Sequence, residues 1–260
     1  MKHHCEYSLF ALVCLALPVF AQANPPQSGR DFQGKETRAL EADEFANPGM
    51  LWVEQGAKLW REARGAAGKS CADCHGDAKQ SMRGVAASYP KADANGIPPG
   101  RRVLSLDQRI NACVESRQAA RAFAWESREL LSLSAFISHQ SKGLPIKVDI
   151  TGSAAAAYAR GKALYFQRIG QMNLACTHCH DQNWGKTLLA EPVSQGQPDG
   201  WPAYRLEWQT LGSLQRRLRA CFFGVRAEQP AFGSDDLVAL ELYLAKRAEG
   251  LPIAAPGVRR

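Results

Sequence analysis

The chain has 260 residues, 45% of them hydrophobic and 22% charged, and a formal net charge of +7. These proportions are ordinary for a globular protein and exclude collagen-like, extensively disordered and polytopic membrane classes. The positive charge is diffuse, with no basic run interleaved with aromatics, so it favours small anions or acidic partners over nucleic acid.

Taken in chain order, the first feature is the apolar run Leu9 to Phe20, preceded by Lys2 and followed by Ala21-Gln22-Ala23. At 12 residues it is short of the roughly 20 needed to span a bilayer. A basic start, a short apolar stretch and a small-x-small site predict a removable secretory signal peptide, residues 1–23. Cys14 follows Val13, so nothing small precedes it as a lipid-attachment site would require. The expected mature chain is exported to the periplasm and has no membrane segment. Residues 24–46 are polar and read as an extension ahead of the first domain.

Six cysteines follow the leader: Cys71, Cys74, Cys113, Cys176, Cys179 and Cys221. Four of them form Cys71-Ala72-Asp73-Cys74-His75 and Cys176-Thr177-His178-Cys179-His180, which is C-x-x-C-H twice, the attachment signature of c-type haem. Thiols at this spacing reach the two vinyl groups of one porphyrin, and the trailing histidine becomes the proximal iron ligand. Two covalently bound haem c groups are therefore expected, attached through Cys71 and Cys74 with His75 on iron, and through Cys176 and Cys179 with His180. A zinc site would have to join pairs 105 residues apart and would leave both histidines unexplained.

The motifs recur because the chain recurs. Gly56-Ala57-Lys58-Leu59-Trp60 and Gly161-Lys162-Ala163-Leu164-Tyr165 read as helix starts with a core-facing aromatic. Arg109-Ile110-Asn111-Ala112-Cys113 parallels Arg217-Leu218-Arg219-Ala220-Cys221. Leu130, Leu133 and Ile137 recur as Leu237, Leu240 and Leu244, one face of a helix in each case. Ser127 and Ser234 stand as N-caps, and Gly143-Leu144-Pro145 and Gly250-Leu251-Pro252 as stops. No strand-like alternation competes. The predicted fold is all-α, with two tandem cytochrome c-like domains, residues 47–150 and 151–260, joined near Lys147 to Ser153. The Gly- and Pro-rich stretches after each motif read as loops over haem edges.

An electron carrier usually completes its iron with methionine or a second histidine. No Met or His follows His180, which leaves Cys221 as the soft donor for the second haem. In the first half Met82, His139 and Cys113 compete, and the repeat favours Cys113. A Cys113–Cys221 disulfide is the competing use of these two thiols in an oxidising compartment. Arg217 lies one helical turn before Cys221, where a guanidinium suits an oxyanion and favours a thiolate. Arg216, Arg219 and Arg226 crowd the same stretch, and haem propionates are the other use for such a cluster. Trp184, Trp201, Tyr204 and Trp208 read as haem packing. A dihaem electron carrier without a substrate site explains the haems but not the missing methionine. A peroxidase would want an open or displaceable iron site and a distal acid or base, and no distal His is available in the second half.

The segment from Gly200 through Tyr204 to Cys221, with Val225-Arg226-Ala227-Glu228, resembles the C-terminal half of the SoxA family, and Arg109 to Cys113 resembles its first-haem ligand segment. The likeness extends over the mature chain and is to the dihaem type. It implies the catalytic subunit of an L-cysteine S-thiosulfotransferase that joins thiosulfate oxidatively to a cysteine of the SoxYZ carrier, with two electrons leaving through haem. It further implies a heterodimer with the monohaem cytochrome SoxX, axial ligation by Cys113 and Cys221, a catalytic persulfide on Cys221, and substrate contact by Arg217.

Overall fold

The computed structural model describes residues 25–93 and 103–260. The expected signal peptide, residues 1–23, lies outside the described residues. The first half carries α1 (Lys35–Ala42), α2 (Met50–Arg61), α3 (Cys71–His75), α4 (Ala78–Ser81), α5 (Leu106–Gln118) and α6 (Arg128–His139). The second carries α7 (Ala155–Phe166), α8 (Cys176–His180), α9 (Leu214–Gly224) and α10 (Asp235–Arg247).

Ser127 and Ser234 cap α6 and α10, each accepting from the backbone N–H three residues on. Acidic residues in both first turns complement the helix dipole. Leu130, Leu133, Ile137, Leu237, Leu240 and Leu244 are all buried, as their spacing predicts. α2 packs on α6, and α7 on α10. Glycine sets both approaches: a β carbon on Gly56 would sit 2.1 Å from the Ser132 carbonyl oxygen, and one on Gly161 would sit 1.9 Å from that of Ala239. The glycine segments thus lie in the second halves of α2 and α7, not at helix starts as expected. The helices begin a turn or more earlier, in Met50 to Val53 and in the alanine run from Ala155. The aromatics Trp60 and Tyr165 are nonetheless in the core.

The chain is mainly helical but not all-α. β1 (Lys91–Ala92) pairs with β2 (Val103–Leu104), and β3 (Thr187–Leu188) with β4 (Glu191–Pro192). β5 (Ala203–Arg205) is flanked by antiparallel β6 (Thr210–Gly212) and parallel β7 (Gly257–Arg259). Strands of two or three residues are too short to show alternation in sequence, and most fall within the stretches expected to be loops.

The turns after α6 and α10 pair with each other, Pro145 opposite Pro252. The backbone N–H of Gly143 donates to Ile253 (2.8 Å) and that of Gly250 to Ile146 (2.9 Å). Ile146 donates to Leu251 and Ile253 to Leu144, both at 2.9 Å. Ile146 and Val148, at the expected joint, are buried with Val103, Val238 and Leu242. Beside them a cavity of about 100 Å³ is lined by Asp107, Ser134 and Glu241. Gln215 donates to Glu241 at 3.2 Å. Burial pushes Asp107 up to about 6; burial and then the Asp107 charge push Glu241 up to about 8.

The N-terminal extension straps onto the second half. Ser28 donates to Asp199 at 2.5 Å, and Asn47 donates to the Pro256 carbonyl at 2.9 Å. Glu41 accepts from the Val258 N–H at 2.8 Å and pairs with Arg259.

Candidate functional site

Both attachment motifs fold as single helical turns. Ser70 and Asp73 cap α3 reciprocally, with Asp73 accepting from the Ser70 N–H at 2.7 Å. The N-cap of α8 is Ala175, which has no hydroxyl, and His178 Nδ1 accepts from the Ala175 N–H at 3.0 Å. His178 is thereby committed to closing its own turn.

His180 is held from behind. Its Nδ1 donates to the Ser194 carbonyl at 2.8 Å, which fixes the tautomer and leaves Nε2 for a metal. Gly196, with φ of +72°, lets the loop pass; a β carbon there would be 3.0 Å from the imidazole. Cys221, from α9, lies close enough to this histidine for the imidazole to favour its thiolate. Cys176 and Cys179 are close enough for the Cys221 charge to act on both. The second half therefore gathers two attachment thiols, one imidazole with a free nitrogen and one further sulfur. This donor set fits covalently attached haem c with a histidine and a thiolate on iron.

Burial raises the Cys221 thiol, but Arg217, the His180 hydrogen bond and Arg205 outweigh it and bring it down to about 7. Cys176 moves the other way, pushed up to about 12 by burial and by Cys221. Only Cys221 is thus drawn toward the nucleophilic anion in this group.

The first half assembles a matching set. Cys113 lies near Cys71, whose thiol is pushed up by burial and then by the Cys113 charge; Gln118 Nε2 sits 3.8 Å from the Cys71 sulfur. His75 packs against Trp60, ring centres 5.7 Å apart. Of the competing ligands, His139 pairs with Glu44 at 3.3 Å on the surface. Met82 is buried with Leu59, Trp60 and Ala78. All six described cysteines are free, so Cys113 and Cys221 are not bridged.

The arginine cluster divides. Arg216 lies over Trp208 at 4.2 Å, and Arg219 over Phe232 at 4.4 Å with a bond to Gln229. Arg226 ends α9 in the left-handed region. Among the described residues no carboxylate pairs with Arg217. Trp201 packs on Trp208, Tyr204 on Trp52 and Trp184 on Phe32. Sequence reasoning missed Arg205, which is buried, stacks on Trp208 at 4.9 Å and acts electrostatically on Cys221. It also missed Ser194 and Gly196. No periodicity marks a loop that orients a histidine, whereas Arg205 lay inside the segment already singled out.

The family model for the SoxA/TsdA cytochrome c domain matches residues 55–146. The L-cysteine S-thiosulfotransferase subunit SoxA of Pseudaminobacter salicylatoxidans is 41% identical over 258 residues, 96% of this chain and 89% of that protein. The subunit of the same name from Rhodovulum sulfidophilum is 38% identical, over 90% and 80%. In the crystal structure of SoxXA from P. pantotrophus, a chain 37% identical superposes with a TM-score of 0.86, over 90% of this chain and 87% of that one. Identity at this level along most of both sequences, on a shared fold, means that the chain belongs to the SoxA family.

Proposed function

We propose that this chain is the catalytic subunit of an L-cysteine S-thiosulfotransferase, working in the periplasm with SoxX as its haem partner and SoxYZ as carrier. The observation that carries the reading is Cys221 close to His180 and to Arg217, an arginine that no carboxylate among the described residues pairs with. A plain electron carrier needs neither the sulfur nor the free guanidinium.

Two haem c groups are assigned: Cys71, Cys74 and His75 would hold one and Cys176, Cys179 and His180 the other, with Cys113 and Cys221 as the further sulfur donors. The two halves, 47–150 and 151–260, are assigned as a tandem repeat behind the 24–46 extension. Support comes from the paired glycine crossings and from the reciprocal bonds of the turns at 143–146 and 250–253. Arg217 holds the thiosulfate dianion with its outer sulfur toward Cys221, the residue that the family likeness makes a persulfide. In the simplest balanced form, the Cys221 thiolate and thiosulfate join through a new sulfur–sulfur bond and release two electrons. The carrier thiol then attacks the outer sulfur, takes the thiosulfonate group and returns its proton to Cys221. Haem supplies the outlet for the electrons.

Replacing Cys221 by Ala is expected to lower thiosulfate conjugation by on the order of 10³-fold or more. Carrier mass measured after incubation reads this directly, and unchanged turnover would refute the mechanism. Intact mass of the purified protein should show two haem additions and cleavage after Ala23.

A further inference from the structure

The repeat assigned above aligns the hairpins as well as the helices. Lys91 and Ala92 pair with Leu104 and Val103, and Ala203 and Tyr204 pair with Gly212 and Leu211 in the same register. Tyr89-Pro90 leads into the first hairpin and Trp201-Pro202 into the second. Ser105 and Ser213 then cap α5 and α9. Arg109 and Cys113 correspond to Arg217 and Cys221, 108 residues on. On this register Asp93, one residue past β1, stands where Arg205 stands at the end of β5.

The two residues carry opposite charge and face the same neighbour. Asp93 is buried, 1% exposed, and pairs with Arg109 at 3.7 Å. Both act on Tyr89, as does Cys113, so the four form one cluster. Arg205 is 8% exposed. Burial and the Arg217 charge both pull its pKa below the ordinary value. Its Nε donates to the Arg260 carbonyl at 2.7 Å, and its Nη2 meets Glu207 at 2.8 Å. No described residue engages its Nη1. Arg109 is thus paired with a buried carboxylate, whereas the carboxylate on Arg205, Glu207, is 65% exposed to solvent, and the charge of Arg205 adds to that of Arg217.

We propose that this hairpin position selects which half takes the substrate anion: Arg205 is the second guanidinium of the thiosulfate site, and Asp93 occupies Arg109 and closes the equivalent place in the first half. The inference rests on the thiosulfotransferase reading. A dianion with three sulfonate oxygens matches two guanidinium forks, and placing it there offsets the repulsion between the buried Arg205 and the half-buried Arg217. Where Asp93 stands, the same anion would meet a carboxylate.

The test uses the haem-loaded complex with SoxX. Arg205→Gln should raise the KM for thiosulfate about tenfold or more, with kcat changed far less, and Arg205→Lys should recover much of the loss. An unchanged KM in Arg205→Gln overturns the assignment. If a shifted haem potential accompanies that unchanged KM, Arg205 belongs to a propionate. Titrating sodium thiosulfate calorimetrically into Asp93→Asn should show a second binding event, and a single event overturns the role of Asp93. If the wild-type complex shows no thiosulfate-dependent conjugation, the parent reading fails first, and separately.

Discussion

The two halves build the same helix crossing and then surround it with different charge. α2 on α6 and α7 on α10 meet through a glycine against a backbone carbonyl, and the helices carry the same apolar face. Around Cys113 and Cys221 the likeness ends: Arg109 is tied to Asp93, whereas Arg217 feels the charge of Arg205. Packing is the part of a repeated unit that cannot drift, because a closed helix contact leaves no volume to spare. Charge at a rim changes at little structural cost, and that is where the two halves differ.

The sharpest break of the shared part is Gly56→Ala against Gly161→Ala. Each added methyl would meet backbone at about 2 Å, which side-chain motion cannot relieve. Each is expected to destabilise by about 3 kcal/mol or more. Denaturant unfolding of the haem-loaded protein measures both, and a tolerated alanine in one half would show that the crossings are not equivalent.

The unshared part is broken by Arg217→Ala against Arg109→Ala. Loss of a charge-assisted contact to a bound anion costs about 1.5–3 kcal/mol, or roughly 10- to 100-fold in kcat/KM for thiosulfate. Arg109→Ala should leave that constant in place and lower stability instead, because it removes a cationic partner from the buried Asp93 side chain. Equal kinetic losses from the two variants would erase the distinction drawn between the halves.

Much of this was legible in the sequence for definite reasons. The C-x-x-C-H spacing is covalent chemistry written locally, and Leu130, Leu133 and Ile137 repeat with a helical period. The serine caps and glycine stops act within three residues of themselves. Two- and three-residue strands carry no period, so the sheet that brings Arg205 to Cys221 was invisible. Asp93 pairs with Arg109 on a helix beyond its hairpin, and Arg205 acts by charge on Arg217 beyond its own. Such relations across a hairpin leave no local mark in the sequence. His178 was assigned to the attachment loop, but its capping of α8 depends on Ala175 lacking a hydroxyl, which becomes apparent only once the turn is built.

The junction offers a comparison by pH. Asp107 and Glu241 hold protons in the fold above their unfolded values, up to about 6 and about 8. The folded state therefore binds more protons than the unfolded chain from about pH 4 upward. Stability should fall as pH rises through 6 and on toward 8, by at most about 1.4 kcal/mol per pH unit for each proton. The carboxylates of Glu44, Asp73 and Asp149 are held below their usual range by hydrogen bonds; they work the opposite way, but only in acid. Glu241→Gln should flatten the decline between pH 6 and 8 in denaturation midpoints. A slope unchanged by the substitution would place the proton elsewhere.

The smallest effect lies on the surface. In the second half Arg160 on α7 forks onto Asp236 on α10, with bonds of 2.7 and 2.8 Å. The corresponding residues of the first half, by the offsets of the two helices, are Gln55 and Glu129, which cannot form an ion pair. Both partners in the second half are substantially exposed, at 52% and 38%, so water and salt screen the attraction. Arg160→Ala should cost no more than about 0.5 kcal/mol at low ionic strength and almost nothing in molar salt. The crossing glycines should lose their several kcal/mol under both conditions. If Arg160→Ala instead proved as damaging as Gly161→Ala, the α7–α10 contact would depend on charge where the first half manages without it, and close packing would no longer explain why the two crossings match.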